Sequence, residues 1–421
     1  MALDVKVKID LILPVPEASV TVGTPLILEE NATTAVEYKE YSNLAEVIEA
    51  GFDITTKVYK TAQMMFMQDT PPEKVAICAT SGTATAWLGV LTNTQKAWRQ
   101  LVVITESSTP IAVSSIMTAT ETLDGKMYFA SLPIDDTTSF TTTDISRSVL
   151  FYCSAQNETV IKGRYTMSSG AYIDSSYTGV QLISGEKYIL TINGVSTKVT
   201  ATTDLDYVKV TDGTVSVETK SGELMIEGVG TDTYDIEIAL FTSGYEVAAL
   251  VGATAGKTVG SFTYKNLILK GITPQDITDT QIEAIHSKGG MTFVTKAGDN
   301  VTSNSKTAGG DYIDIIDSED YVISNLQYRT QKLLNQSDKI PYTDIGIAQL
   351  EAVAIDVMRS AYNMGIIGNN DDGTPGYEVR YGLRSEQSET DRAIRKYAGG
   401  TFRFILAGAV ETVEITGEII I

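Results

Sequence analysis

Two residue types that build many catalytic and metal centres are almost missing from this chain. Among 421 residues there is a single histidine, His286, and only two cysteines, Cys78 and Cys153. One imidazole excludes any metal site that needs a pair of histidines, and no HExxH or CxxC spacing occurs. Each cysteine lies inside a run of strand formers, which marks it as a reduced core thiol rather than half of a disulfide. A GxSxG elbow is absent as well. Basic charge is the next shortage: 32 Lys and Arg face 53 Asp and Glu, a net charge of −21. Sequence-independent nucleic-acid binding needs a Lys/Arg footprint that this balance does not supply. Long apolar runs are missing too. No stretch approaches the roughly 20 residues of a membrane helix, so direct membrane insertion is not expected. The first residues, MALDVKVKID, lack the apolar core and cleavage site of a signal peptide.

The remaining candidates for chemistry are weak. GATAGKT, Gly252 to Thr258, is one residue short of the Walker A spacing and reads as a loop joining two elements. ATP turnover through Lys257 is therefore not expected. Asp135-Asp136 and Asp371-Asp372 fall in turns without the ligand spacing of a calcium loop, and read as solvated. His286 sits near the C-terminal end of a short helix, where it can meet the last carbonyls. No catalytic, metal or cofactor-binding residue emerges.

What the chain does contain is strand and helix in distinct blocks. Its length implies about two to four domains. Val5, Val7, Ile9 and Leu11 alternate with Lys6, Lys8 and Asp10, a strand with one apolar face, and Pro14 and Pro16 detach it as an arm. TPLILEE, KVAICAT, LVVIT, KMYFAS and SVLFYCSA then read as buried strands. Helices are expected at 43–50, 56–68, 84–93 and 111–121, which together argue for an α/β layer with crossover connections. From 158 to 242 helix disappears. Asn193-Gly194 and Asp212-Gly213 each separate two alternating strands, as two-residue primed hairpins require. Helix returns at 244–253 and at 278–287, the latter with Thr278 and Gln281 at capping-box spacing. MTFVTK reads as a strand and 298–310 as a flexible stretch. Two long helices, 318–335 and 343–364, precede a turn-rich loop, the strand YEVRYGL and a final strand-forming stretch. Within that stretch 401–409 is expected to be intramolecular core and 412–421 a second arm.

The expected fold class is therefore α+β multidomain: an α/β layer with an inserted antiparallel β domain, and a C-terminal α+β domain carrying exchanged terminal strands. Its parts are an N-terminal strand arm (1–20), an α/β domain (21–157 and 243–303), an inserted sandwich or barrel (158–242) and a C-terminal core domain (304–421) that includes the arm 412–421. Arg384, Arg392, Arg395, Lys396 and Arg403 form a basic group in an acidic chain. They read either as ordinary ion pairs to Glu386, Glu389 and Asp391 or as a patch meeting acidic surface on a neighbour.

Several segments resemble one family in its own order. They are TVGTPLILEE, AALVGATAGKTVGSFTYKNLILKGITPQDIT, GDYIDIIDSEDYVISNLQYRTQKLLNQSDKIPYTDIGIAQLEAVAIDVM, SETDRAIRKY and FILAGAVETVEITGEI. The chain resembles the contractile tail sheath proteins of bacteriophages and phage-derived particles; only the β insert has no recognised counterpart, at a place where such sheaths carry variable outward-facing domains. The resemblance implies a structural subunit, not an enzyme, that polymerises helically in hexameric rings. Its partners would be other copies, the inner tail tube protein, and the baseplate and tail terminator proteins. It would reside in a virion tail or phage-derived extracellular particle, after assembly in the host cytoplasm. The resemblance further implies strand exchange between subunits. Val5, Val7, Ile9 and Leu11, with Val413, Ile415, Ile419 and Ile421, are the residues expected to cross. Arg384, Asp391, Arg392, Arg395, Lys396 and Arg403 would then be inter-subunit or tube-facing charges. A reading from another class, a cell-surface adhesin or layer protein, draws on the Thr-rich insert and the acidic composition.

Overall fold

A computed structural model describes residues 23–30, 32, 35–54, 56–80, 98–104, 111–134, 144–153, the strands between 156 and 242, 245–413 and 415. The N-terminal arm, the helix expected at 84–93, Asp135-Asp136, both hairpin dipeptides, Ile419 and Ile421 lie outside the described residues. The protein is mixed α/β and divides into two compact units. One comprises Thr24–Gly256 with Tyr264–Ile313, the other Lys257–Thr263 with Asp314–Ile421.

The first unit is built on a seven-stranded sheet. Its strands are β1 (Thr24–Glu29), β2 (Val36–Tyr41), β3 (Val75–Ala79), β4 (Trp98–Ile104), β5 (Met127–Pro133), β6 (Ser148–Cys153) and β15 (Gly290–Met291), in the order β15-β6-β5-β4-β1-β3-β2. Every pairing is parallel except β2 with β3. Parallel strands need covering on both faces, and these are near-continuous apolar runs: all of β3 and all of β6 are buried. Alternate residues divide between the faces. Leu26, Leu28, Ala76, Cys78, Tyr128, Leu150 and Tyr152 share a cluster with Ile116 and Met117 of α3 (Ile111–Glu121). Both cysteines are free and buried. Burial, with the negative charge of Glu37 behind it, pushes the Cys78 thiol up to about 11.

The helices start where their caps predict. Asn43 caps α1 (Leu44–Glu49) and Thr56 caps α2 (Lys57–Phe66), each side chain accepting a backbone N–H of the first turn. The GATAGKT segment corrects the sequence reading, because its first four residues finish α4 (Tyr245–Ala255) rather than forming a loop. Residues 246 to 255 are all buried, and α4 packs on α2 and across β1, β4, β5 and β6. The helix was expected at 244–253, and the structure carries it two residues further, to Ala255. Gly252 lies directly on the α2 backbone, where an added Cβ would meet Met65 Cα and O at 2.5 Å. Gly256 is equally tight against Thr70 O, at 2.5 Å. These glycines serve close packing, with no phosphate cradle between them.

A second correction concerns 298–310. Residues Asp299–Thr302 form β17, paired with β16 (Phe293–Lys296), and Thr302 to Ser305 are buried. Their polarity made the segment read as mobile, but it is consumed locally. Thr302 Oγ1 donates to Tyr264 O (2.6 Å), Ser303 Oγ accepts from Thr292 N (3.0 Å), and Asn304 Nδ2 donates to Gly290 O (3.0 Å). His286 lies in the last turn of α5 (Asp279–Ser287), with Nε2 2.9 Å from Ser303 Oγ. The capping box at Thr278 and Gln281 is present.

The insert enters after β6 and returns at α4 as two four-stranded sheets. One runs β10 (Val195–Thr200), β9 (Lys187–Ile192), β14 (Asp232–Thr242), β7 (Gln156–Met167). The other runs β12 (Thr214–Thr219), β11 (Leu205–Thr211), β13 (Met225–Glu227), β8 (Tyr172–Ile173). Val195 pairs with Ile192 and Thr214 with Thr211, so two residues separate each pair of strands. The insert is not wholly antiparallel: β11 and β13 run parallel, a pairing that no hairpin signal announces.

Candidate functional site: an open sheet edge in the C-terminal unit

Two long helices frame the second unit. α6 runs Ile313–Gln336, one turn and more earlier than its expected start, and α7 runs Asp344–Asn363 behind a Thr343 cap. They lie antiparallel: Tyr321 and Val322 cluster with Met358 and Ala361, while Arg329 Nη1 reaches Asp356 Oδ2 at 2.5 Å. Against them lies a sheet that, among the described residues, has two strands, β18 (Tyr377–Tyr381) and β19 (Gly400–Phe404), paired antiparallel from Tyr377↔Phe404 to Tyr381↔Gly400.

This small sheet has two unlike faces. Tyr377, Val379 and Phe404 pack on the helix cluster. Glu378, Arg380, Thr401 and Arg403 alternate to the other face, where Arg403 Nη2 meets Glu378 Oε2 at 2.7 Å. Phe402 stacks beside Phe404 at 6.4 Å on the apolar face, yet is 44% exposed, with no further strand over it among the described residues.

The ladder also fixes which backbone groups point outward. Gly382 N donates to Gly399 O and Ile405 N donates to Gly376 O. In an antiparallel pair bonded residues alternate with unbonded ones. Residues 401 and 403 therefore turn inward to β18, while the N–H and C=O groups of Phe402 and Phe404 face away from it. The corresponding edge of β18 is occupied instead. Tyr377 N donates to Pro375 O (2.9 Å), and Tyr381 N donates to Glu351 Oε1 of α7 (3.2 Å). Both ends of the β18 edge are thus taken within the chain, whereas among the described residues no group meets the outward N–H groups of Phe402 and Phe404.

The stretch 401–409 was expected to be intramolecular core. It does pair within its own chain, but residues 400 to 403 are exposed, which corrects that expectation. Beyond β19, Ala407 N donates to Ile366 O, Ala409 N to Asp314 Oδ2 (3.3 Å), and Glu411 Oε1 accepts from Thr263 Oγ1 (3.3 Å). Val413 and Ile415 then stand 72% and 87% exposed.

The charged residues are placed on two elements. Arg384, Asp391, Arg392, Arg395 and Lys396 belong to the 384–396 excursion between β18 and β19, which includes α8 (Glu389–Ala393), whereas Arg403 is on the sheet. Arg392 sits 3.8 Å from Glu389, and Asp391 takes the Ser388 hydroxyl at 2.6 Å in an N-cap. Arg384, Arg395 and Lys396 are exposed. The excursion is pinned by tyrosines that were not singled out in the sequence. Tyr342 Oη donates to Lys396 O (3.0 Å), Tyr397 Oη donates to Gly382 O (2.9 Å), and Tyr397 stacks on Tyr381 at 5.7 Å. Burial, with Tyr381 beside it, pushes the Tyr397 hydroxyl up to about 12. Gly400 lies against this tyrosine pair: an added Cβ would be 2.8 Å from the Tyr381 ring.

Acid–base and metal chemistry find little to use. A cleft of about 250 Å³ in this unit is bordered by Gly260, Phe262, Ile366 and Leu406, with Asp314 the one titratable lining residue. Among the described residues no group of three or more His, Cys, Asp or Glu could hold a metal ion. Among them, too, no helix is long and apolar enough to cross a membrane. Asp371-Asp372 lies in a turn, where the hydroxyl and amide of Thr374 hold the Asp372 carboxyl below the usual range.

Comparison with known proteins follows this geometry. Residues 313–419 match the family model described as E217 tail sheath protein gp31-like, C-terminal domain. Among solved structures, the contracted helical sheath of the anti-feeding prophage is similar over 99% of both chains, with TM-score 0.60 and 12% identity. A chain of that particle's six-fold symmetrised baseplate matches over 100% of both, with TM-score 0.60 and 11% identity. The fold is that of contractile sheath proteins. The contracted sheath complex of an extracellular contractile injection system, PVC, also matches, over 99% of this chain and 98% of that one, with TM-score 0.56 and 10% identity. No curated protein matches in sequence.

Proposed function

We propose that the protein is the structural subunit of a contractile sheath. It polymerises helically around an inner tube and shortens to drive that tube through a bacterial envelope. The observation that carries this reading is the two-stranded C-terminal sheet with one edge open, lying in the region that matches a sheath C-terminal domain. An unpaired edge invites another strand, and adding one between molecules is an established mode of association. Val413 and Ile415, exposed beyond that sheet, fit the donor role, as do Val5, Val7, Ile9 and Leu11 by their alternation, and Ile419 and Ile421 by sequence.

In this account no cofactor or catalytic residue is used. The work of contraction comes from the difference between two lattice packings of one fold, released from one end. Rings of six copies, the inner tube, the baseplate and a terminator complete the assembly. Arg384, Asp391, Arg392, Arg395, Lys396 and Arg403 supply charge at subunit or tube contacts, and the insert at 158–242 faces outward. Assembly in the host cytoplasm precedes residence in a phage tail or phage-derived particle.

The test is electron microscopy of the purified protein at rising concentration, with deletions of residues 1–12 and 412–421 alongside. Helical tubes from the full chain and loss of tubes in the deletions are expected. Normal tubes from both deletions would remove strand exchange, and a persistent monomer would remove the polymer itself.

A further inference from the structure

We infer that the cleft in the C-terminal unit is a binding site for a primary alkylammonium group, carried by a free amine or by a lysine side chain. Every residue it uses lies in one unit of a single chain, so the site exists whether or not the chain polymerises.

Four stretches of this unit meet at the cleft. Ser261 and Thr263 come from the short segment Lys257–Thr263, and Asp314 and Ser318 from the first turns of α6. Ile366 follows α7, and Leu406, Gly408 and Ala409 follow β19. Ala409 N donates to Asp314 Oδ2 (3.3 Å), which ties the last stretch to the helix. Ser318 is only 3% exposed, so its hydroxyl is a fixed part of the wall.

The ligand class follows from which atoms still have a hydrogen to give. Three hydroxyls line the cleft, and each spends its hydrogen elsewhere. Ser261 Oγ donates to Thr258 O (2.8 Å), Ser318 Oγ to Asp314 O (2.6 Å) and Thr263 Oγ1 to Glu411 Oε1 (3.3 Å). No hydroxyl hydrogen remains for a ligand. Asp314 adds a carboxylate whose Oδ1 is buried and, among the described residues, meets no hydrogen-bond donor. The polar side chains of the cleft are thus acceptors throughout, and one of them carries negative charge. A buried carboxylate oxygen without a donor is costly, and a cation that donates to it removes that cost. An ammonium supplies three donors and no acceptor. An anionic ligand would meet only acceptors and a like charge.

A guanidinium is a donor as well, but it holds a carboxylate best through two parallel bonds. Ala409 N already occupies Asp314 Oδ2, and the single oxygen left matches a compact charge better than a fork. Volume and apolar lining set the rest of the ligand. About 250 Å³ falls below the roughly 300–1,000 Å³ of pockets for drug-sized molecules, and suits one group the size of a side chain. Phe262, Ile366 and Leu406 offer apolar surface to a short aliphatic stem, as buried lysine stems require.

The experiment titrates the full chain with n-butylammonium chloride by calorimetry near neutral pH. N-acetyl-lysine methylamide is the second arm, and n-butanol is the neutral control of similar shape. Saturable one-to-one binding of an amine is expected, with no binding of butanol. Asp314→Asn, which keeps the shape but removes the charge, should weaken binding about tenfold or more. Binding of the lysine derivative alone would support the site and name a protein side chain as its ligand; binding of butylammonium alone would support it and name a free amine. No saturable binding of either amine, equal binding of butanol, or equal affinity in Asp314→Asn would overturn it. Melting without ligand shows whether the variant folds. If it does not, Ser318→Ala decides: butylammonium affinity about two- to tenfold weaker supports the site, and unchanged affinity overturns it.

Discussion

The seven-stranded sheet of the first unit and the two-stranded sheet of the second solve the same problem to different extents. In the first, β1, β3, β4 and β6 are almost entirely buried, and helices within the chain cover them. In the second, β18 alternates half-buried and exposed residues, and β19 is exposed along most of its length. Both have the strand-forming sequence that packing rewards. The difference is that the central strands of the first sheet are covered by helices of their own chain. The other leaves one strand uncovered among the described residues, and the proposed function has a second copy complete it.

That contrast can be broken most severely from the complete side. Trp98, 1% exposed in β4, is the largest fully buried side chain among the described residues. Trp98→Ala should cost about 3–5 kcal/mol of stability, read by chemical denaturation of the monomer, and a loss below 1 kcal/mol would show that the layer is not the rigid half. Gly252→Val comes next. It forces a side chain into the α2 backbone and should cost about 1–3 kcal/mol by overpacking; an unchanged melting temperature would contradict the close approach of α2 and α4.

The C-terminal unit should respond to alkali. The Tyr397 hydroxyl is raised from the ordinary 10 to about 12, so folding favours its neutral form. Its contribution is complete below pH 10 and is lost as pH rises from 10 through 12. Thermal melts across that window should fall more steeply for the wild type than for Tyr397→Phe, and parallel curves would deny the shift. The smallest effect on the monomer is expected at the open edge. Phe402→Ser should change monomer stability by less than about 0.5 kcal/mol yet abolish assembly, and tubes of normal yield would contradict the role given to β19.

The two halves also differed in how far the sequence disclosed them. Continuous apolar runs such as VAICA and SVLFYC announced the parallel layer, because strands buried on both faces carry no alternation to misread. Caps at Asn43, Thr56, Thr278 and Thr343 were legible because each side chain acts on its own first turn. Where a glycine-rich end is buried, as in the last turn of α4, or where polar groups are satisfied at a distance, as at Thr302 and Asn304, local pattern misled. The parallel pairing of β11 with β13 depends on contacts between segments that no turn connects. The C-terminal strands were visible from YEVRYGL and the final stretch. Which edge would be closed was not, since Glu351, the residue that occupies the β18 edge, lies 30 positions away on a helix.

The central claim, that β19 is completed by another molecule, is tested most directly by hydrogen exchange of the peptide spanning 400–406 before and after assembly. The outward amides of Phe402 and Phe404 should exchange rapidly in the monomer and become protected in tubes, while the already occupied amides of Tyr377 and Tyr381 change little. Equal exchange at Phe402 and Phe404 in monomer and tube would contradict the account.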